Sequence, residues 1–265
     1  MSDETTHPPS PLLAARGISK SYGAVHALKN VDLQLYSGEV LGLVGDNGAG
    51  KTTLVKCLSG VHKPDDGQIV IDDVERHGLT TETTRELGVE TVYQNLSLVD
   101  TLDVMQNFFL HRELLYGNPV GRALGLLNKR RMYRETTVRL QELGLAVEAR
   151  RPVATLSGGQ RQMIAVARAI TWGTHIVMLD EPAAALGVRQ SMQVLKFVRS
   201  MAERGAAVLF ISHNMQHVLQ VTDRIVVLRH GEKVGDLRTA DATAQEIVTL
   251  ITGSDLVVNG QDVAV

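Results

Sequence analysis

One stretch near the start of the chain, Gly45 to Thr52, has the residue types and spacing that bind phosphate. Four residues separate its first glycine from the run Gly50, Lys51, Thr52. Glycines let successive backbone N–H groups surround an anion, and a helix that begins there adds its positive end. In this pattern, called a P-loop, the lysine reaches the terminal phosphates and the hydroxyl holds Mg²⁺. The predicted nucleotide-binding residues are Gly45, Asp46, Asn47, Gly48, Ala49, Gly50, Lys51, Thr52 and Thr53.

Two adjacent carboxylates, Asp180 and Glu181, follow the apolar run from His175 to Leu179. Such a run is typical of a strand buried in a parallel sheet, and α/β proteins place their sites at the carboxyl ends of these strands. Asp180 would hold Mg²⁺ through water, and Glu181 would polarise an attacking water. A second such run, Ala207 to Ile211, ends near His213, which would meet a γ-phosphate at the same sheet edge. A solvated acidic turn and a structural histidine are the alternatives.

Three further features mean little alone. Tyr22 precedes the P-loop strand and could stack on a purine, although by itself it is better explained as a half-buried structural tyrosine. Gln94 ends a predicted strand that begins at Gly88. The run Leu156 to Gln160 opens a predicted helix that ends near Trp172, with Ser157 as its cap and a second anion-binding end.

The elements that would position these residues alternate between strands and helices. Further strands are predicted at Leu12–Arg16, Val31–Tyr36, Val40–Val44, Gln68–Ile71 and Arg224–Leu228, and further helices at Leu102–Leu110, Met132–Leu143, Val188–Arg204 and Thr243–Ile251. The predicted fold is an α/β P-loop NTPase with a central, mostly parallel sheet, an antiparallel β subdomain and a helical subdomain over about 96–172. One domain is expected over 12–253, with tails at 1–11 (disordered) and 254–265.

Composition narrows the function classes. The 265 residues carry a net charge of −2, which gives no basic excess for nucleic acid. The single cysteine, Cys57, cannot form an internal disulfide and is expected to be a packed core residue in a reducing compartment. Residues 1–11 lack the apolar region of a signal peptide, and no run of 18 apolar residues exists to span a membrane. A membrane process would therefore need another chain.

In this order and spacing, the motifs resemble those of the ATP-binding subunits of ABC transporters, over about Leu12 to Gly253. The resemblance implies that Tyr22 stacks on adenine and that Gly45 to Thr52 cradles the phosphates of ATP. It also implies a head-to-tail dimer of two copies of the chain. In that dimer one copy's Ser157, Gly158, Gly159 and Gln160 close over the γ-phosphate of ATP held by the other.

The same resemblance implies catalytic roles. Asp180 would bind Mg²⁺, Glu181 would be the general base, and His213 would be the switch histidine. Gln94 would contact Mg²⁺ and the attacking water and hinge the helical subdomain, on which a membrane permease docks. The expected location is the cytoplasmic face of the bacterial inner membrane, as a peripheral subunit.

A narrower resemblance is to bacterial monosaccharide importers of the ribose, xylose and fructose class, with the single-domain length of the fructose members. It rests on five short runs: Gly45–Gly48, Glu90–Gln94, Lys129–Met132, Ala184–Val188 and Ser212–Met215. Such importers work with a periplasmic sugar-binding protein. Two positions depart from the commoner ABC pattern, Ala183 in place of Thr and Gly187 in place of an Asp that couples the two ATP sites.

Other classes fit less well. A GTPase would show Asn-Lys-x-Asp and Asp-x-x-Gly, which this chain lacks, and a kinase does not need Leu-Ser-Gly-Gly-Gln. ABC proteins of translation or DNA repair carry two ATPase domains or a coiled-coil insertion, and neither is present. An ABC subunit for another substrate or an exporter remains the alternative.

Overall fold

The computed structural model describes residues 10–117, 119–184 and 186–253, with the side chains of Pro119 and Val120 excepted. The predicted tails therefore lie almost entirely outside the described residues, as does Ala185. The chain forms two compact units. The first comprises the described parts of Met1–Thr91 and Leu195–Val265 together with Gly173–Glu181, and the second comprises Val92–Trp172 and Pro182–Val194.

Strands and helices alternate along the chain. The strands are β1 Leu13–Tyr22, β2 Val25–Leu35, β3 Val40–Val44, β4 Asp66–Ile71, β5 Val74–Arg76, β6 Val89–Val92, β7 Ile176–Asp180, β8 Ala207–Ile211, β9 Arg224–Arg229 and β10 Glu232–Arg238. The helices are α1 Lys51–Leu58, α2 Thr81–Glu86, α3 Val104–Phe108, α4 Pro119–Ala123, α5 Lys129–Glu142, α6 Gly158–Trp172, α7 Val188–Glu203, α8 Met215–Val221 and α9 Ala244–Thr252.

Two sheets confirm the predicted fold class. One has six strands in the order β10-β9-β3-β8-β7-β6, and its pairs β9–β3, β3–β8 and β8–β7 are parallel. The other has four antiparallel strands in the order β2-β1-β4-β5. Every residue of β3, β7 and β8 is buried, because a parallel strand is covered on both faces. Cys57 is buried as predicted, and burial raises the pKa of its thiol to about 11.

Several strands and helices differ from the sequence predictions in their bounds or were not predicted. The strand predicted to end at Gln94 ends at Val92, and β1 continues to Tyr22 through polar residues and register shifts. The edge strand β10 and the helices α2 and α8 were not predicted. An edge strand buries little of its surface, so β10 carries charged side chains in place of an apolar pattern. The polar helix α2 depends on a capping box between Thr80 and Thr83.

The second unit has its own core. Helix α3 packs on α5, and α5 packs on α6. Their buried side chains form one cluster, which includes Val104, Phe108, Met132, Leu140 and Ile164. The indole of Trp172 donates to the carbonyl of Phe108 at 2.7 Å. The basic run Lys129 to Arg131 is the exposed first turn of α5. No helix in the described ranges is long and apolar enough to cross a bilayer.

In the first unit, Arg224 of β9 links four segments. Its guanidinium donates to Glu39 and Asp236, each at 2.8 Å, and to the carbonyl of Gln34 at 2.6 Å. The side chains of Arg224 and Glu39 are only 20% and 12% exposed. Burial opposes the charge of Arg224, but the hydrogen bonds to Glu39 and Asp236 outweigh it and raise its pKa.

We expect Arg224→Met to lower the free energy of unfolding by about 3 kcal/mol, because Glu39 would keep a nearly buried charge without its partner. Lys29→Met is the matched control. Lys29 and Glu232 form an exposed pair at 3.1 Å, whose loss should cost about 0.5 kcal/mol or less. Urea unfolding followed by circular dichroism measures both. Equal midpoints for the two variants would show that the Arg224 network is not stabilising.

Candidate nucleotide site

The P-loop joins β3 to α1 through backbone conformations that require glycine. Gly45, Gly48 and Gly50 have φ angles of +152°, +80° and +105°. A Cβ on Gly50 would lie 2.6 Å from the carbonyl oxygen of Ala27, and one on Gly45 would overlap the carbonyl oxygen of Leu228. The loop is therefore pressed against the backbone of β2 and β9, and both positions exclude any side chain.

The loop presents backbone donors at the start of α1. The first N–H groups of an α-helix have no partner within the helix. Among the described residues, no side chain caps α1, whose N-cap is Gly50. The turn before it is held by two hydrogen bonds, from Ala49 N to Asp46 O at 3.1 Å and from Asn47 N to the Asp46 carboxylate at 3.0 Å. This uncapped helix start in a glycine-rich turn fits a phosphate group.

Lys51 lies over the loop. Its ammonium donates to the carbonyl oxygens of Gly45 at 2.6 Å and Asp46 at 2.9 Å. Burial lowers the pKa of Lys51, and the nearby charges of Glu181, Asp180 and Asp46 oppose that effect. The cation is thus placed at the loop by the fold itself.

Asp180, the last residue of β7, faces the start of α1. The Thr52 hydroxyl donates to its carboxylate at 3.2 Å, and Asp180 is 3% exposed. Burial raises the pKa of Asp180, while the Thr52 hydrogen bond and Lys51 oppose the rise. Two oxygen ligands beside a phosphate cradle fit Mg²⁺, which is usually held by one or two protein groups together with substrate phosphates and water. The described residues contain no cluster of three His, Cys, Asp or Glu side chains that could hold a metal alone.

Glu181 and His213 meet where β7 and β8 end. The register pairs Asp180 with Ile211, so the residues that follow are neighbours, as predicted. The Glu181 carboxylate accepts from the His213 backbone N–H at 2.9 Å and contacts His213 Nδ1 at 2.8 Å. Glu181 has a φ of +54°, a left-handed conformation that costs a residue with a side chain about 1 kcal/mol. The two contacts with His213 hold its carboxylate at the sheet edge.

Tyr22 lies at the end of the β1–β2 hairpin. It pairs with Val25, and Ala27, two residues further along β2, abuts Gly50 of the P-loop. Two residues of strand span about 7 Å. Tyr22, 44% exposed, is therefore carried by the hairpin about 7 Å along the strand from the contact with the P-loop.

The remaining predicted residues lie in the second unit. Gln94 is exposed in the turn that follows β6. Ser157 caps α6 as predicted. Its hydroxyl accepts from Gln160 N at 3.2 Å, and the Gln160 side chain accepts from Ser157 N at 3.0 Å. A Cβ on Gly159 would lie 3.2 Å from the Gln190 side chain, which places this helix start beside the first turn of α7.

The structure brings together the P-loop, Tyr22, Asp180, Glu181 and His213 within the first unit. Three residues around Tyr22 were missed: Lys20, His62 and Asp65. No sequence motif joins them, because they come from β1 and from the turn after α1. Ser212, which donates weakly to Glu181 at 3.5 Å, was also missed as a site residue, although its place before His213 was a signal.

The fold and this site define a P-loop NTPase of the ATP-binding cassette type. A family model described as ABC transporter matches residues 28–184, more than half of the chain. The chain therefore belongs to the ABC transporter family, as an ATPase.

Several known proteins are similar in sequence to this chain along most of its length. It is 42% identical to the fructose import ATP-binding protein FrcA of Rhizobium meliloti, over 92% of this chain and 95% of that protein. It is 39% identical to the xylose/arabinose import ATP-binding protein XylG of Sulfolobus acidocaldarius, over 92% of this chain and 94% of that protein. It is 39% identical to a ribose import ATP-binding protein, RbsA 1 of Rubrobacter xylanophilus, of which it spans only 48%.

Solved structures agree on the fold. An ATP-binding cassette in a dimeric post-hydrolysis state with ADP and Pi superposes with a TM-score of 0.74 at 24% identity, over 86% of this chain and 98% of that one. A nucleotide-free ATP-binding cassette from an ABC transporter superposes with a TM-score of 0.74 at 21% identity, over 91% of this chain and 95% of that one.

Proposed function

We propose that this chain, as one ATPase domain over 12–253, hydrolyses ATP to power import of a monosaccharide of the fructose, ribose or xylose class. The observation that carries the proposal is the 42% identity to a fructose import ATP-binding protein over 95% of its length. The P-loop and the carboxylates at the end of β7 support the ATPase part of the proposal.

ATP binding is assigned to the first unit. The Tyr22 ring stacks on adenine. The backbone N–H groups of the loop, together with Lys51, hold the β- and γ-phosphates. Thr52 and Asp180, already 3.2 Å apart, would hold Mg²⁺. When bound, the ion would neutralise the charge of the phosphate oxygens.

Glu181 is the proposed general base. Its carboxylate would take a proton from the water that attacks the γ-phosphorus, as the bond to the β-phosphate oxygen breaks. The His213 backbone N–H donates to the same carboxylate at 2.9 Å and keeps it oriented. The His213 ring, 75% exposed, would contact the γ-phosphate through the ring nitrogen that does not face Glu181.

A second copy of the chain is proposed to complete each site. Ser157 and Gly158 are exposed at the start of α6, and together with the half-buried Gly159 and Gln160 they would close over the γ-phosphate held by the partner copy. The helical unit, over about 96–172, is proposed to dock on a membrane permease at the cytoplasmic face of the inner membrane. A periplasmic sugar-binding protein would deliver the sugar to that permease.

Sugar uptake tests the proposal directly. In a strain that lacks this chain, uptake of one radiolabelled sugar among fructose, ribose and xylose should fall to background. The chain should restore it, and Glu181→Gln should not, because uptake depends on hydrolysis. Undiminished uptake of all three sugars would overturn the monosaccharide assignment. Increased retention of a substrate in the same strain would instead identify an exporter.

A further inference from the structure

The Tyr22 ring is held by two side chains that no sequence motif identifies. The Lys20 ammonium lies over the ring, 5.8 Å from its centroid. The His62 ring meets it edge-on, with the centroids 5.7 Å apart and the planes at 70°. Both are favourable geometries for an aromatic ring, one with a cation and one with another ring. The ring therefore has a fixed position despite its place at a hairpin end.

Lys20 is itself anchored. Its ammonium donates to one Asp65 oxygen at 2.6 Å, and the other Asp65 oxygen accepts from Ser21 N at 2.7 Å. The Lys20 side chain is only 16% exposed, and the hydrogen bond to Asp65 raises its pKa. Asp65 N also donates to Ser19 O at 2.8 Å. The carboxylate thus fixes the cation over Tyr22 and ties the end of β1 to the turn after α1.

His62 ties the same ring to the P-loop helix. Its backbone N–H donates to the carbonyl of Lys56 in α1 at 2.9 Å, so the imidazole is carried by the turn that ends this helix. Helix α1 begins at Lys51, in the phosphate-binding loop. The phosphate loop and the Tyr22 ring are therefore joined twice, through β2 at Ala27 and through α1 at His62.

We propose that Lys20, Asp65 and His62 are positioning residues that hold the Tyr22 ring as a preformed platform for the adenine of ATP. The inference rests on the proposed function and on the adenine role of Tyr22. Holding the ring in place reduces the ordering cost of binding, which should appear as tighter ATP binding. Since none of the three residues touches the reacting phosphates, the chemical step should be unaffected.

Steady-state kinetics with a base-free competitor tests this. His62→Ala and Lys20→Met should each raise KM for ATP about two- to tenfold, while kcat stays within about twofold of wild type. Tripolyphosphate, which has no adenine, should inhibit both variants with an unchanged inhibition constant. Lys20→Arg should restore KM, since it keeps the cation. Unchanged KM values would overturn the proposal, and so would a parallel rise in the tripolyphosphate constant, because that rise indicates damage to the phosphate loop.

A double-mutant cycle with Tyr22 adds a second test. In a Tyr22→Ala background, His62→Ala should raise KM no further, because the ring it positions is gone. Additive effects would contradict the proposal. Lys29→Met, in the exposed ion pair with Glu232, is the control with expected wild-type KM. If wild-type protein hydrolyses no ATP, the proposed function fails; if it does and His62→Ala matches it, only this inference fails.

Discussion

Replacing Glu181 with Gln is expected to reduce kcat for ATP hydrolysis by about 10²- to 10⁴-fold while ATP binding is retained. The amide has nearly the shape of the carboxylate and keeps an oxygen that can accept from the His213 N–H, now bonded at 2.9 Å. It cannot take a proton from water. The dimer with bound ATP should therefore accumulate, and size-exclusion chromatography with ATP measures it alongside phosphate release.

The backbone at Glu181 makes this substitution informative. Its φ of +54° is held by the pairing of the strand ends and by the hydrogen bond from Glu181 N to Ile211 O at 3.0 Å. Gln should adopt the same conformation at similar cost, so the loss of kcat reports chemistry and not misfolding. Glu232→Gln, on the exposed β10, is a control with expected wild-type turnover. Near-normal hydrolysis by Glu181→Gln would exclude Glu181 as the base.

The parallel part of the fold was predictable because its strands satisfy one physical demand. The segments β3, β7 and β8 are buried on both faces, so each is an almost continuous apolar run that the sequence displays. No residue of the edge strand β10 is buried, so its sequence shows no apolar run from which the strand could be predicted. The polar end of β1 was missed for a related reason, because its register shifts depend on pairing with β2 and β4, and no local pattern encodes them.

The candidate site divides in the same way. The P-loop has a fixed spacing because its glycines face backbone atoms, and Glu181 meets His213 because both follow parallel strands. Both features can be predicted, the first from the spacing of residues in the sequence and the second from the order of parallel strands at one edge of the sheet. The contacts of Lys20 and His62 with Tyr22 depend on the path of the turn after α1, which tertiary packing decides. The left-handed backbone conformation of Glu181 likewise depends on tertiary contacts, such as the hydrogen bond from its N–H to Ile211 O, and no local sequence pattern predicts it.

Replacing Lys51 with Ala is expected to weaken ATP binding about 10- to 100-fold, which corresponds to the loss of charge-assisted hydrogen bonds to the phosphates. Calorimetric titration with ATP measures the change, with Lys29→Ala, an exposed lysine of β2, as the control. Normal ATP affinity in Lys51→Ala would contradict the assignment of this loop as the phosphate cradle.

The effect of Lys51→Ala on tripolyphosphate separates the two ends of the site. Because the ammonium lies at the carbonyls of Gly45 and Asp46, at 2.6 and 2.9 Å, it acts where phosphates bind and not where the base stacks. Affinity for tripolyphosphate should therefore fall as far as affinity for ATP. His62→Ala should lower the affinity for ATP alone. This difference between the two variants would divide the binding energy between a phosphate end at the start of α1 and a base end at Tyr22, both within one unit of the chain.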